Sequence, residues 1–214
     1  MVVGLQRFRE HFRSFDNAYV LIGGAACEAW MLSNALTFRK TRDLDIVLVV
    51  EAVDSRFVGR FRDFVEAGDY EERVRQQTGE REYFRFVKPK TADYPFMLEL
   101  FSRAPGDLEL SLGQKIVPVA VDASFVSLSA ILMDEGYYEL VVATRYEADG
   151  VPMVGVDGLI PLKARAWQDL KARSEAGEKR SLPTQCRSPA SPRPRRTGPR
   201  LPVASLRSPA FPFG

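Results

Sequence analysis

Asp43 and Asp45 stand two positions apart in Asp43-Leu-Asp-Ile-Val-Leu-Val-Val50, a β-branched and mostly apolar run that reads as a buried strand. A strand has a pleat of period two, so both carboxylates face one side while Leu44 and Ile46 face the other. Two anions side by side in a half-buried strand repel each other. The arrangement is costly unless a cation neutralises it, and paired carboxylates with open positions suit Mg²⁺, which takes oxygen ligands and shares them with phosphates. The competing reading is a solvated acidic pair at a strand end.

The elements that must position this pair begin upstream. Tyr19-Val-Leu-Ile22 is a short apolar run ending at Gly23-Gly24, and residues 25–36 follow with Ala26, Trp30, Ser33 and Leu36 near helical spacing. The pattern is strand, glycine turn, helix. Without side chains, Gly23 and Gly24 let a polyphosphate approach the main chain, and a helix N-terminus offers unpaired N–H groups and a positive dipole end. A Gly-Gly turn alone is weak; its place after a strand and before Asp43-Leu-Asp45 strengthens it.

Composition narrows the chemistry further. The chain of 214 residues has one histidine, His11, and two cysteines, Cys27 and Cys186. Ser-His-Asp triads, His-rich zinc sites and disulfide frameworks need residues this chain hardly has, so catalysis must rest on carboxylates, lysines and backbone. Residues 1–16 mix Arg with Phe and hold no run of signal-peptide length, and the apolar stretch 19–32 is broken by Gly23, Gly24 and Glu28. A soluble, cytoplasmic protein without a membrane partner is expected.

Charge divides the chain unevenly. Residues 1–179 carry 23 Lys plus Arg against all 28 acids, whereas 180–214 carry seven Arg, no acid and eight of the fourteen prolines. The expected organisation is therefore a folded domain over 1–179 and a disordered Arg/Pro/Ser-rich tail over 180–214. Such a tail can bind nucleic acid electrostatically. Its abrupt start within an ongoing helical pattern also reads as an out-of-frame translation of GC-rich DNA.

Within the domain, Asp54 is expected to cap a helix that carries Phe57, Val58, Phe61, Phe64 and Val65 on one face and closes at Gly68. Strands are expected at 83–87, 96–101, 116–121, 139–143 and 153–156, with a short helix starting near Ser127. A helical C-terminal part is expected over 159–177, with Leu162, Ala166, Trp167 and Leu170 at helical spacing. The fold class is α/β (α+β), a mixed sheet flanked by helices. Trp30 and Trp167 read as core residues, Cys27 as a small buried residue and His11 as a surface one. Thr41 is placed to bond to backbone ahead of the Asp43 strand, and Arg39 and Arg42 to lie near phosphates or simply in solvent.

Ile22-Gly23-Gly24 followed by Asp43-Leu44-Asp45-Ile46 resembles the signature of the nucleotidyltransferase superfamily that includes DNA polymerase β. The preceding Arg39-x-Thr41-x-Asp43 resembles the AbiEii-like abortive-infection and toxin branch. The resemblance covers most of residues 18–175, and the first motif is its specific part. It implies a nucleotidyltransferase-like fold and Mg²⁺-dependent transfer of a nucleoside monophosphate from NTP to an acceptor hydroxyl, on a tRNA 3′ end, a protein side chain or an antibiotic. An antitoxin partner is also implied.

Asp43 and Asp45 would hold the ions, and Gly23, Gly24, Thr41 and Arg42 would meet the nucleotide. The third metal-linked carboxylate of that superfamily is assigned to Glu99, an acid amid Phe96-Met-Leu-Glu-Leu-Phe101, with Asp93, Glu109 and Asp122 as rivals. Lys163, in Leu159-Ile-Pro-Leu-Lys163, resembles the lysine that such toxins place at the start of a later helix to contact the triphosphate. The sequence departs from the family where the Arg-Pro tail replaces further helical sequence. A nucleotidyltransferase-like binding module without turnover is the alternative, and a nucleic-acid binder acting through the Arg-rich tail is a third.

Overall fold

The computed structural model describes residues 2–74, 81–104, 116–120 and 126–175. Residues Met1–Ala172 form one compact unit and Arg173–Gly214 another, of which only 173–175 are described. The tail over 180–214, and with it Cys186, lies outside the described residues. No helix among the described residues is long and apolar enough to cross a membrane.

In chain order the elements are α1 (Leu5–Phe12), β1 (Tyr19–Ile22), α2 (Gly23–Ser33), β2 (Asp43–Leu48), α3 (Ser55–Ala67), β3 (Glu71–Val74), β4 (Arg81–Val87), β5 (Met97–Ser102), β6 (Ile116–Ala120), β7 (Val126–Leu132), α4 (Glu135–Ala143), β8 (Arg145–Ala148), β9 (Val151–Val154) and α5 (Val156–Glu175). The strands form one mixed sheet in the order β3-β4-β5-β2-β1-β9-β8, with β7 beside β5 and β6 beside β7. The contacts β2–β5, β1–β9 and β5–β7 are parallel and the rest antiparallel. The α/β class with a mixed sheet flanked by helices is thus observed.

Register decides which face carries what. Tyr19 pairs with Leu48 and Leu21 with Ile46, so these four residues share one face of the sheet with Leu44. That face is covered by α1 and α3 through an aromatic cluster. The Phe8 and Phe12 rings lie 4.4 Å apart, and Phe8 meets Tyr19 edge-on at 5.3 Å. Phe12, with no exposure, also touches Phe57, Phe61 and Phe64. Asp43 and Asp45, offset by one residue from Leu44 and Ile46, are thereby turned to the other face.

α3 forms as the pattern requires. The Asp54 carboxylate accepts a 2.8 Å bond from the Phe57 amide, satisfying one of the donors left open in the first turn. Phe57, Val58, Phe61, Phe64 and Val65 are buried, and Gly68 is the C-cap. Replacing Asp54 with Ala is expected to lower stability by about 1 kcal/mol, read as a reduced urea midpoint at unchanged slope.

Two segments exchange identity relative to the sequence reading. The expected helix near Ser127 is strand β7: Leu128 and Ala130 are buried while Ser129 between them is not, a period of two, and the strand is paired on both sides by β6 and β5. The expected strand at 139–143 lies in helix α4. Asp134 caps it by accepting from the Gly136 amide at 3.1 Å, and Tyr138 and Val141 are buried three residues apart. In the first the helix-favouring Leu, Ala and Met, and in the second the β-branched Val141 and Val142, gave way to burial and pairing supplied from elsewhere.

Smaller shifts have local causes. α2 starts at Gly23 without a separate turn and ends at Ser33, where the Asn34 side-chain amide bonds to the Trp30 carbonyl at 2.8 Å and Ala35 takes a positive φ of 56°. The last β-strand is Val151–Val154, because Val156 opens α5. Trp167 is not core: it is 62% exposed on α5. Trp30, Cys27 and His11 are half-buried. The expected positions Val121, Ala176 and Gly177 lie outside the described residues.

Candidate functional site

Four strands bring one lateral row together. Ile22 on β1 pairs with Asp45 on β2, Asp45 with Glu99 on β5, and Glu99 with Arg85 on β4. Partners directly opposite each other share a face, so Asp45, Glu99 and Arg85 project side by side at spacings of about 5 Å between strands. Asp43 stands two residues along β2, opposite Met97, on the same face. The juxtaposition of Asp43, Asp45 and Glu99 proposed from sequence is therefore present. Of the rivals, Asp93 is an exposed loop residue with φ of 62°, and Glu109 and Asp122 lie outside the described residues.

Gly23 and Gly24 adjoin this row for a steric reason. Gly23 has φ of 66°, and a Cβ there would collide with the Asp45 carboxylate. A Cβ on Gly24 would stand 2.6 Å from Thr41 Oγ1. The glycines thus let the first turn of α2 close onto Asp45 and Thr41, and the Gly24 amide bonds to the Asp45 carboxylate. Substituting Gly23 with Ala is expected to destabilise the protein by about 2 kcal/mol, because left-handed strain adds to displacement of Asp45; a thermal melt checks this.

The electrostatics follow from burial. Asp45 is pushed up to about 7, first by desolvation and then by the charges of Glu99 and Asp43, with Lys163 and the Gly24 amide acting against the rise. Asp43 is also raised, chiefly by desolvation and further by Glu99, against the pull of Arg42 and Arg39. Its Oδ1 is buried with no hydrogen-bond partner. Arg42 is exposed; its guanidinium lies 4.8 Å from the centre of the Phe96 ring, and its carbonyl accepts from the Phe96 amide at 2.8 Å.

A cleft of about 590 Å³ opens beside the row, and Gly23, Asp45, Glu99 and Lys163 are among its lining residues. That volume is ordinary for a small-molecule pocket. Lys163 is exposed and is the eighth residue of α5 rather than the first, so it reaches the cleft from the middle of a helix. Leu159 and Leu162 join it there, facing Phe101 and Ile131 from the sheet.

Two of the three carboxylates suit a divalent cation. Asp43 offers an unpartnered buried oxygen, and Asp45 offers a carboxylate that burial makes reluctant to ionise alone; both fit a hard, oxygen-seeking ion. Glu99 is different. Its Oε1 accepts from both Nε and Nη2 of Arg85. Among the described residues no three His, Cys, Asp or Glu side chains converge as a ready metal centre.

Arg85 is the site residue that sequence reasoning passed over. Its signal was present: Phe84 and Phe86 are 6% and 3% exposed, so alternation turns Arg85 to the opposite face, where the carboxylates are. What the pattern lacks is the pairing that sets β4 beside β5. Comparison with protein-family models, with curated proteins and with solved structures gave no match.

Proposed function

We propose that this chain is a Mg²⁺-dependent nucleotidyltransferase. The observation that carries the reading is the pair Asp43 and Asp45 on β2, one carboxylate oxygen buried without a partner and the other carboxylate raised to about 7, directly against the glycine-started helix α2. Bound at Asp43 and Asp45, Mg²⁺ would supply charge neutralisation of a triphosphate and acidify an acceptor hydroxyl.

The chain's own residues do the rest. The cleft takes the triphosphate of an NTP, and Lys163 offsets the negative charge that gathers on the departing pyrophosphate. The acceptor oxygen forms a bond to the α-phosphorus, the bond from that phosphorus to the bridging oxygen breaks, and the acceptor proton leaves to solvent or a nearby carboxylate. Leu159, Leu162 and Phe101 line the cleft and limit water at the reacting atoms. In keeping with the sequence resemblance, the acceptor class is a tRNA 3′ end or a protein hydroxyl, within a toxin–antitoxin setting.

A second reading, a binding module without turnover, draws on the engagement of Glu99 by Arg85. One experiment separates the two. The protein is incubated with labelled NTPs, Mg²⁺ and candidate RNA and protein acceptors, and pyrophosphate is followed. Label transfer with stoichiometric pyrophosphate, stopped by EDTA, supports the enzyme; Mg²⁺-dependent NTP binding without pyrophosphate release supports the module and sinks the enzyme.

A further inference from the structure

On the reading of Asp43 and Asp45 as a divalent-ion site, the number of cations the row accommodates is decided at Glu99. Glu99 lies opposite Asp45, yet its Oε1 is taken by Arg85 through two donors. The pair is sheltered, with side-chain exposures of 27% for Arg85 and 12% for Glu99. Arg85 has no other face to choose, because Phe84 and Phe86 are buried and the β4–β5 register sets it opposite Glu99.

Charge balance points the same way. Fully ionised, Asp43, Asp45 and Glu99 would bring three negative charges; Arg85 against Glu99 and Lys163 near Asp45 offset two of them. Arg42 and Arg39 add positive potential at Asp43. One divalent ion already reverses what remains, and a second would have to sit beside a guanidinium and share Glu99 with it, since Arg85 holds Oε1.

We propose that Arg85 takes the place of a second cation: the site binds one divalent ion through Asp43 and Asp45, while the guanidinium holds Glu99 beside it. Arg85 is then a positioning residue. It fixes the Glu99 carboxylate at the edge of the cleft and screens Asp45 from it, without touching the ion.

The test is a Mn²⁺ titration of the full chain without nucleotide, with free Mn²⁺ read by its EPR signal. The wild type and Arg85→Lys are expected to bind one Mn²⁺ per chain, and Arg85→Gln is expected to gain a second, weaker one. Glu99→Gln serves if Arg85→Gln does not fold. It should leave the Mn²⁺ affinity within about threefold, less than the ~10–100-fold that even an outer partner of a metal ligand can carry. Two ions on the wild type overturn this inference while supporting the ion site, as does a loss above about threefold in Glu99→Gln. One ion unchanged in a folded Arg85→Gln also overturns it. No Mn²⁺ on the wild type overturns both the inference and the reading beneath it.

Discussion

With the chain acting as the nucleotidyltransferase proposed, replacing Asp45 with Asn is expected to lower nucleotidyl transfer by ~10³-fold or more, about 4 kcal/mol of transition-state stabilisation, while leaving the fold intact. Asp45 is the centre of the lateral row, with Ile22 on one side and Glu99 on the other. Asparagine has the same outline, so it still fits against Gly23 and can still accept from the Gly24 amide. What it lacks is the charge, and it presents amide hydrogens where an ion needs lone pairs. The loss should appear in the rate constant and persist at saturating NTP, because electrostatic positioning at the reacting phosphorus is what has been removed.

Stability should survive the same substitution. In EDTA the Asp45→Asn protein should melt no lower than the wild type, since the substitution relieves repulsion from Asp43 and Glu99. Activity lost with stability kept separates a site residue from a structural one. Label transfer that persists in the Asp43→Asn, Asp45→Asn double variant would sink the assignment.

The residues that sequence alone makes legible are those whose meaning is local. β1, β2 and α3 each announce themselves by a short apolar run, an alternating pair of carboxylates or a capped helical face, and all three are where the patterns put them. Glu99 is legible because an acid inside Met-Leu-Glu-Leu-Phe must have a reason to be there. Its partner is not. That Glu99 sits between Asp45 and Arg85 is a fact of register across three strands separated by many residues, and no window of sequence contains it. The same limit explains β7 and α4, where contacts from β5 and β6 or the cap at Asp134 decide a conformation that local preference reads the other way. It explains Trp167 as well: helical spacing places it correctly on a face of α5, and only packing tells whether that face is covered.

The acidity of Asp45 carries a second large effect, on stability rather than rate. Its folded-state value is pushed up to about 7, whereas the ordinary value is 3.8. Below about pH 4 both folded and unfolded chains hold the proton, and this group contributes nothing to the balance. As pH rises from there towards 7, the unfolded chain releases the proton while the folded one retains it, so the unfolded state is favoured. Stability from this group therefore falls with rising pH, by at most about 1.4 kcal/mol per unit and on the order of 4 kcal/mol in total by pH 8. Asp43, also raised, adds to the same sign. Urea denaturation in EDTA at pH 5 and pH 8 isolates the effect when wild type and Asp45→Asn are compared, because other titrating groups are common to both. The variant should already be ahead by about 1.5 kcal/mol at pH 5, and its lead should widen by roughly another 2.5 kcal/mol by pH 8, to the order of the total above. Saturating Mg²⁺ should close that gap by stabilising the wild type alone, since a ligand bound only by the folded chain favours it. Parallel stability curves across this range, with or without Mg²⁺, would show that Asp45 ionises freely in the fold and would remove the physical reason for a cation beside it.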